Sequence, residues 1–371
     1  MKQTILILTT HTGGGHLNLA QSLKDSLESY YDVVIVDPQP DIVDWWYATV
    51  SRYSVKFLEW QFTLTDNAKA SLWLHRALTL FSRRQILHIL ERVQPHLIIA
   101  THAMLSYPAA RAHDSLPERV PLIFQLTDLG QIHMTWFSEQ KADAYLVPTR
   151  EIYAQARQVG VDKERLHLTG RPIRRQFLEV SLEERETTLQ AIGLDPALFT
   201  IFLQGGAKGS AGVERIIDNL LRLHVPVQII LAAGNNKAIA ARYAAVRQVH
   251  VLSFTETIAP YMAAADIIAG KAGASFISEA FMVEKPFVVT TYIPGQETPN
   301  LRFIQQHNLG WVCLNIADQQ ALFAKLVSDP TYIAEKVESI RVYKNWNVQA
   351  NQSIVPVIDS LLAKPVNATG S

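Results

Sequence analysis

The sequence predicts an α/β fold with two Rossmann-like domains, because one local pattern occurs in both halves of the chain. A short apolar run leads into a glycine-rich turn and then into helical apolar spacing at residues 5–27, and the succession returns at 267–282. Short runs rich in Ile, Leu and Val are typical of strands in a parallel sheet. The 371 residues, 48% of them hydrophobic, are enough for two cores. We expect domains at 1–178 and 179–345, followed by a helix and tail at 346–371.

The composition excludes several classes of protein. Lys and Arg together number 34, as do Asp and Glu, so the formal net charge is zero and no general field attracts nucleic acid. The single cysteine, Cys313, cannot form an internal disulfide or a cysteine-based metal cluster. No run of about 18 apolar residues occurs, and the apolar run at 5–8 is too short for a signal peptide. We therefore expect a cytoplasmic protein that meets membranes only peripherally, at their inner face.

The most informative stretch of the chain is residues 270–300. Small residues fill its predicted strand-to-helix turn: Gly270, Ala272, Gly273, Ala274 and Ser275. Small side chains let a ligand approach the backbone, and the N-terminus of a helix offers unpaired N–H groups to a phosphate. The polar loop at 294–300 follows one strand later, and its amide and carboxylate suit the hydroxyls of a sugar. This pattern indicates a nucleotide-sugar site; an ordinary βαβ unit with a tight turn is the alternative.

A second glycine-rich turn, at residues 10–16, ends with His16. The turn departs from the dinucleotide-binding pattern G-x-G-x-x-G, because Asn18 stands at the third glycine position. An imidazole has a pKa near neutrality, which suits general-base work. The other interpretation of this histidine is a cap on the first helix.

Three further polar side chains follow predicted strands: His102, Asp128 and His133. In a doubly wound sheet the carboxyl ends of the strands face the ligand crevice. We expect these side chains to converge there. Asp128 would then orient a base histidine, share its proton, or accept the acceptor proton itself.

Aromatic residues are dense between positions 45 and 74. The stretch contains Trp45, Trp46, Trp60 and Trp73, and basic residues such as Arg76 stand nearby. Trp and Tyr prefer the headgroup region of a membrane, so the pattern favours an amphipathic element that lies in lipid headgroups. An aromatic core or a dimer face is the alternative.

Several of these segments together resemble the monogalactosyldiacylglycerol synthases. In the second half of the chain the similarity rests on Lys271-Ala272-Gly273, Glu279-Ala280, Lys285-Pro286, residues 292–297 and Asn300. In the first half it rests on Thr-Gly-Gly-Gly-His at 12–16, the block at 127–136 and Gly-x-Pro-x-Arg at 170–174. A more distant resemblance links the chain to the lipid II-forming N-acetylglucosaminyltransferase of peptidoglycan synthesis.

The resemblance implies the GT-B fold, in which two Rossmann-like domains face each other across a cleft and the C-terminal helix crosses back to the first domain. It also implies an inverting glycosyltransferase that moves a hexose from UDP-galactose or UDP-glucose to a lipid such as 1,2-diacylglycerol, giving a β-glycolipid. The chain has no Asp-x-Asp pair, so we expect a metal-independent reaction that needs no cofactor besides the UDP-sugar co-substrate. The implied partners are the UDP-sugar, the lipid acceptor and a membrane surface bound peripherally, and no nucleic acid is expected.

The resemblance also implies roles for individual residues. Catalysis is expected of His16, assisted by Asp128, and acceptor binding of Gly13, Gly14, Gly15, His133 and Trp136. Glu279 would hold the ribose of UDP, while Gln296 and Glu297 would face the donor sugar. The donor-binding set consists of these three residues together with Gly206, Gly234, Asn235, Phe254, Lys271, Gly273, Ala274, Ser275 and Asn300. No metal ligand is expected.

Three alternatives stay open at this point. A UDP-sugar 2-epimerase has the same twin fold and needs no lipid, although the aromatic stretch at 45–74 argues against it. A non-catalytic protein that binds a UDP-sugar or a lipid is compatible with Ala207 and Ala233, which replace residues expected from the family. An NAD-dependent oxidoreductase fits least, because neither glycine-rich turn has the dinucleotide pattern.

Overall fold

The computed structural model describes residues 2–10, 14–39, 60, 64–116, 119–138, 140–204, 212–223 and 225–363. The chain divides into two compact units. The first unit comprises Met1–Arg174, Pro294–Pro299 and Trp346–Ser371, and the second comprises Arg175–Ile293 and Asn300–Asn345. The predictions for Gly13, Gly206 and the aromatic residues at 45–59 lie outside the described residues.

Six parallel strands form the sheet of the first unit. They are β1 (Thr4–Leu8), β2 (Asp32–Val36), β3 (Leu97–Ala100), β4 (Leu122–Gln125), β5 (Ala144–Val147) and β6 (Leu166–Leu168), and they lie in the order β2-β1-β3-β4-β5-β6. The helices along this part of the chain are α1 (Gly14–Leu27), α2 (Ala68–Val93), α3 (Ala103–His113) and α4 (Arg150–Gln158), with short 3-10 turns at Met134–Phe137 and Lys163–Arg165.

The core of the first unit has one layer on each side of the sheet. Ile5 and Ile7 of β1 belong to a buried cluster that includes α1, whereas Leu6 and Leu8 belong to a second cluster with α2 and α3. Successive residues of a strand point to opposite faces, so a continuous apolar run is what a sheet covered on both sides requires.

The second unit has a parallel six-stranded sheet of its own. Its strands are β7 (Phe199–Gln204), β8 (Val227–Ala232), β9 (Val249–Leu252), β10 (Ile267–Lys271), β11 (Phe287–Thr291) and β12 (Gly310–Val312), in the order β12-β11-β10-β7-β8-β9. The helices along this part of the chain are α5 (Arg175–Glu179), α6 (Arg185–Ala191), α7 (Val213–Arg222), α8 (Lys237–Tyr243), α9 (Ala259–Ala264), α10 (Ala274–Met282), α11 (Thr298–Gln306) and α12 (Ile316–Ser328), followed by a 3-10 turn at Pro330–Ile333.

Two helices end the described chain, α13 (Ala334–Asn351) and α14 (Ile354–Leu362). Ile354 and Ile358 of α14 lie in the same buried cluster as Ile5 and Ile7. The predicted packing of the C-terminal helix on the first domain is therefore confirmed.

The direction of the strands determines which edge of each sheet is expected to bind a ligand. All paired strands within each sheet are parallel, so their carboxyl ends meet at one edge, where open α/β sheets bind ligands. The predicted twin Rossmann-like architecture is confirmed. In the part of the chain that the structure describes, no helix combines the length and the apolar character needed to cross a membrane.

Candidate active site

His16 is the central polar residue at the carboxyl edge of the first sheet. It stands in the first turn of α1, directly after the exit of β1, and is half-buried. Its Nδ1 lies 3.2 Å from the carbonyl oxygen of Thr101, which follows β3. A carbonyl oxygen only accepts hydrogen bonds, so Nδ1 carries the proton and the lone pair stands on Nε2. The main chain thereby fixes the tautomer that a general base needs.

The surroundings of His16 keep its ring neutral. Burial lowers the pKa of His16 to about 4, and the charge of Arg171 acts in the same direction. The hydrogen bond to Thr101 opposes these effects without cancelling them. At neutral pH the ring is therefore unprotonated and able to accept a proton.

A second imidazole lies against the first. The ring centroids of His102 and His16 are 4.2 Å apart, with the planes inclined at 62°. His102 is the N-cap of α3, and its Nδ1 accepts a hydrogen bond of 3.1 Å from the N–H of Met104. The sequence places His102 at a strand exit, but nothing in the sequence indicates this contact.

Arg171 is a buried cation of this site that the sequence-based site prediction missed. Its guanidinium donates to the carbonyl oxygen of Thr127, the residue before Asp128. Asn347 holds the main chain of Arg171 on both sides, because its Oδ1 accepts from the Arg171 N–H at 2.7 Å and its Nδ2 donates to the Arg171 carbonyl at 3.0 Å. Gly170 permits this turn, with φ at +69° and no room for a Cβ, which would lie 2.7 Å from Asn347 Oδ1.

Asp128 lies at the expected edge of the sheet. It follows β4, which neighbours β3, and its Oδ2 lies 3.4 Å from the Thr127 hydroxyl. The strand order places the exits of β1, β3 and β4, which carry His16, His102 and Asp128, next to one another. The predicted convergence of His102, Asp128 and His133 stays a prediction. The hydrogen bond found at His16 Nδ1 goes to Thr101, and assistance by Asp128 stays a prediction.

Two residues expected to bind the acceptor make structural contacts. The Trp136 ring is only 2% exposed and packs in the core near Phe124, so it presents no surface to an acceptor. His133 caps the 3-10 turn that follows it, with Nδ1 accepting from the N–H of Thr135 at 3.2 Å, while its Nε2 lies 3.2 Å from the Thr65 hydroxyl. Their aromatic and imidazole character gave no sign of these contacts.

The second unit contains the predicted strand-to-helix turn between β10 and α10. Gly273 is the N-cap of α10, so no side chain caps this helix. In the first unit, α1 likewise begins with glycines, Gly14 and Gly15. The first N–H groups of a helix have no partner within it and carry the positive end of the helix dipole. The N-terminus of α10, beginning at Ala274, thus offers backbone donors at the carboxyl edge of the second sheet.

The side chains around this turn follow the helical period. Ser275 and Glu279 are four residues apart and share one face of α10, with Ser275 half-buried and Glu279 buried. Lys271, at the end of β10, is half-buried as well. Asn300 is also buried, and its Nδ2 donates to the carbonyl oxygen of Ala272 at 3.0 Å. Asn300 therefore braces the turn with its amide.

The remaining donor-binding candidates lie at two further strand exits. Gly234, with φ at +57°, and the exposed Asn235 follow β8, while Phe254 follows β9 and is highly exposed. These exits stand at the same edge of the sheet as the turn before α10.

The polar loop at Pro294–Pro299 belongs to the first unit by its contacts, although its flanking residues belong to the second. Glu297 is buried, and Gln296 is half-buried. A Cβ added to Gly130 would lie 2.5 Å from Pro299 Cβ, so the absence of a side chain at Gly130 lets the loop pack there. The polar character of the loop is visible in the sequence, whereas its contact with Gly130 is not.

Comparison with protein families matches successive parts of the chain. Residues 16–173 match the model of monogalactosyldiacylglycerol synthase, and residues 200–336 match the glycosyltransferase family 28 C-terminal domain. The probable monogalactosyldiacylglycerol synthase 2 of Oryza sativa subsp. indica is 28% identical over 331 residues, covering 83% of this chain and 70% of the relative. Monogalactosyldiacylglycerol synthase 3 of Arabidopsis thaliana is 27% identical with the same coverage.

Solved structures share the fold over nearly the whole chain. MurG of Acinetobacter baumannii has a TM-score of 0.60 at 15% identity, covering 97% of this chain and all of MurG. HepE of Anabaena, solved with UDP-glucose, has a TM-score of 0.59 at 16% identity, covering 96% of this chain and 99% of HepE. The fold and the family models together define a glycosyltransferase of the GT-B fold.

Within that class, two findings point to one group of enzymes: the family model that matches residues 16–173 and the plant relatives. The chain is a glycosyltransferase that is similar to the monogalactosyldiacylglycerol synthases. The resemblance drawn from the two glycine-rich turns is therefore confirmed.

Proposed function

We propose that the chain transfers a hexose from UDP-galactose or UDP-glucose to 1,2-diacylglycerol, with inversion at the anomeric carbon, to give a β-glycolipid. The observation that carries this proposal is His16, whose Nδ1 is engaged by Thr101 and whose Nε2 is left as the basic atom. The names of the plant relatives support diacylglycerol as the acceptor and galactose as the sugar.

The chemical step needs one base and one stabilised leaving group. His16 Nε2 takes the proton of the acceptor hydroxyl while the oxygen forms a bond to the anomeric carbon. The bond from that carbon to the diphosphate oxygen breaks on the opposite face, and UDP leaves with the electron pair, so the configuration inverts. A positioned base contributes about 100-fold to 10,000-fold in rate. Asp128 follows β4, which is separated from β1 by β3 in the sheet. It is proposed to orient the acceptor or the base.

The leaving group is proposed to bind at the start of α10. Backbone N–H groups from Ala274 onward and the helix dipole suit a diphosphate, and Lys271 and Ser275 stand at the same turn. Glu279, one turn further along the same helical face, is proposed to hold the ribose. With these donors the reaction is proposed to proceed without a metal ion.

The sugar itself is proposed to contact Gln296 and Glu297. Their loop supplies an amide and a carboxylate, and both groups suit the hydroxyls of a hexose. Gly234, Asn235 and Phe254 at the neighbouring exits of the second sheet are proposed to border the nucleotide.

The first unit also exposes apolar surface that suits a lipid acceptor. Trp60 is 58% exposed and Trp73 is 73% exposed, and Leu64 between them is exposed as well. Trp side chains favour the membrane interface, where the ring is apolar and its N–H reaches a polar partner. These residues are proposed to contact the inner face of the membrane peripherally, which would bring the site to a diacylglycerol that stays in the bilayer.

The experiment is transfer of label from UDP-galactose, UDP-glucose and UDP-N-acetylglucosamine to vesicles that contain diacylglycerol, with a chelator present. Label in the lipid phase, in equal amount to UDP released, supports the proposal and names the sugar. Release of UDP without labelled lipid would contradict the lipid acceptor and favour epimerase-type chemistry. Donor binding without release would favour a non-catalytic binding protein. Activity lost to the chelator and restored by a divalent cation would contradict the metal-independent step.

A further inference from the structure

The Thr101-His102 dipeptide at the exit of β3 holds His16 in two ways. The Thr101 carbonyl oxygen accepts from Nδ1 of His16 at 3.2 Å, and the His102 ring lies beside the His16 ring at a centroid distance of 4.2 Å. The hydrogen bond to Thr101 fixes Nδ1 of His16, and the contact with the His102 ring restricts the orientation of the whole His16 ring. Thr101 and His102 lie directly before α3, and His102 caps that helix.

The two rings carry opposite tautomers. His102 Nδ1 accepts the N–H of Met104, so in the neutral ring its proton stands on Nε2. His16 donates through Nδ1, so its proton stands there and Nε2 carries the lone pair. The lone pair of His102 Nδ1 is thus used by the main chain of α3 and does not face His16 as a donor.

We propose that His102 is a positioning residue for His16, and that its ring fixes the direction of the His16 lone pair and keeps water away from the base. The proposal rests on the proposed function, in which His16 is the general base. The simpler interpretation is that His102 only caps α3, because a cap needs no more than an acceptor atom at this position.

Two substitutions separate the cap from the ring. His102→Asn keeps an acceptor that caps a helix well but removes the ring. His102→Phe keeps an aromatic ring but removes the acceptor. A capping role predicts that only the second variant changes the protein, whereas a positioning role predicts that the first variant changes the chemistry of His16.

The direction of the change follows from the groups around His16. These are Arg171, whose charge lowers the pKa of His16, the His102 ring beside it, and Asp128 at the exit of β4. Burial is the largest cause of the low pKa. Removing the His102 ring admits water, so the pKa of His16 rises from about 4 toward its ordinary 6.5. Activity requires the unprotonated ring, and the acid limb of kcat/KM moves to higher pH.

The experiment records kcat/KM against pH for the wild type and both variants, with histidine ring NMR as a readout that does not depend on turnover. For His102→Asn we expect the acid midpoint to rise by at least about one pH unit, kcat at pH 8 to fall about tenfold or more through lost orientation, and Tm to stay unchanged. For His102→Phe we expect the midpoint to stay and Tm to fall by about 2–4 °C.

Thr149→Ala is the matched control. Thr149 caps α4 at the exit of β5, its hydroxyl accepting from the N–H of Ile152 at 3.4 Å. We expect this variant to lower Tm and leave the midpoint in place. An unchanged midpoint and kcat in His102→Asn would overturn the positioning role, as would the same pH shift in Thr149→Ala. If His16→Gln keeps the acid limb of the wild type, His16 is not the base and the proposed function itself fails.

Discussion

Asn347 on α13 is expected to be a main structural support of the candidate site, and replacing it with Ala should loosen the turn that carries Arg171. Its side chain is 1% exposed and makes two hydrogen bonds to the Arg171 main chain, at 2.7 and 3.0 Å. Because these residues are 176 positions apart, the bonds tie α13 to the exit of β6.

The magnitude follows from what the substitution leaves behind. Each buried polar group without its partner costs about 1–3 kcal/mol, so losing two bonds destabilises the first unit by about 2–6 kcal/mol. Ala favours a helix over Asn by about 0.6 kcal/mol, which is too little to change the sign. The matched control is Asn351→Ala on the same helix, where one bond of 2.7 Å to the Thr169 carbonyl is lost. We expect about 1 kcal/mol for that variant.

Native-state hydrogen exchange, read peptide by peptide, measures this difference separately in each unit, which suits a chain of two units better than one global midpoint. We expect amides of β1 and β3 to open more readily in Asn347→Ala by the stated free energy, and amides of β8 to be unaffected. Transfer activity should fall in parallel because Arg171 no longer holds the Thr127 carbonyl, which lies next to Asp128. Exchange in β1 that matches the wild type, or a larger effect of Asn351→Ala, would refute this role of Asn347.

Two further outcomes follow from contacts of the first unit. Gly130→Ala places a Cβ 2.5 Å from Pro299 Cβ and displaces the polar loop, so we expect KM for the UDP-sugar to rise about tenfold or more; unchanged steady-state kinetics would separate that loop from the donor. Replacing the exposed Trp60 and Trp73 by Ser should weaken vesicle binding in a sedimentation assay while Tm stays within about 1 °C, since exposed substitutions change stability little; equal binding by the variant would remove these side chains from the membrane contact.

The fold could be predicted because its signals are local in the sequence. Apolar runs such as that of β1, glycine-rich turns and helical spacing recur in both halves, and each unit follows from them. His16 and the start of α10 could be found in the same way, since a turn residue and its helix are neighbours in the chain. A site feature that depends on one short segment can therefore be predicted from the residues of that segment.

The rest of the site depends on contacts between distant segments. Arg171 stands within a motif that the sequence indicates, but its placement beside His16 follows from the order of six strands and from Asn347. His133 and Trp136 have residue types that suit ligand binding, and in the structure His133 caps a 3-10 turn while Trp136 packs in the core. Residue type alone does not distinguish a structural role from ligand binding, because a side chain forms the same kinds of hydrogen bonds and apolar contacts in both.

The role of His16 in lipid glycosyl transfer is tested most directly by comparing the wild type and His16→Gln in the transfer of label to diacylglycerol vesicles from UDP-galactose, UDP-glucose and UDP-N-acetylglucosamine. UDP binding, measured separately by calorimetry, serves as the control for the second unit. We expect labelled lipid with the wild type and a loss of at least about 100-fold in His16→Gln with UDP affinity preserved. Equal transfer by both proteins, or no labelled lipid with the wild type under any of the three donors, would contradict a histidine-based glycolipid synthase.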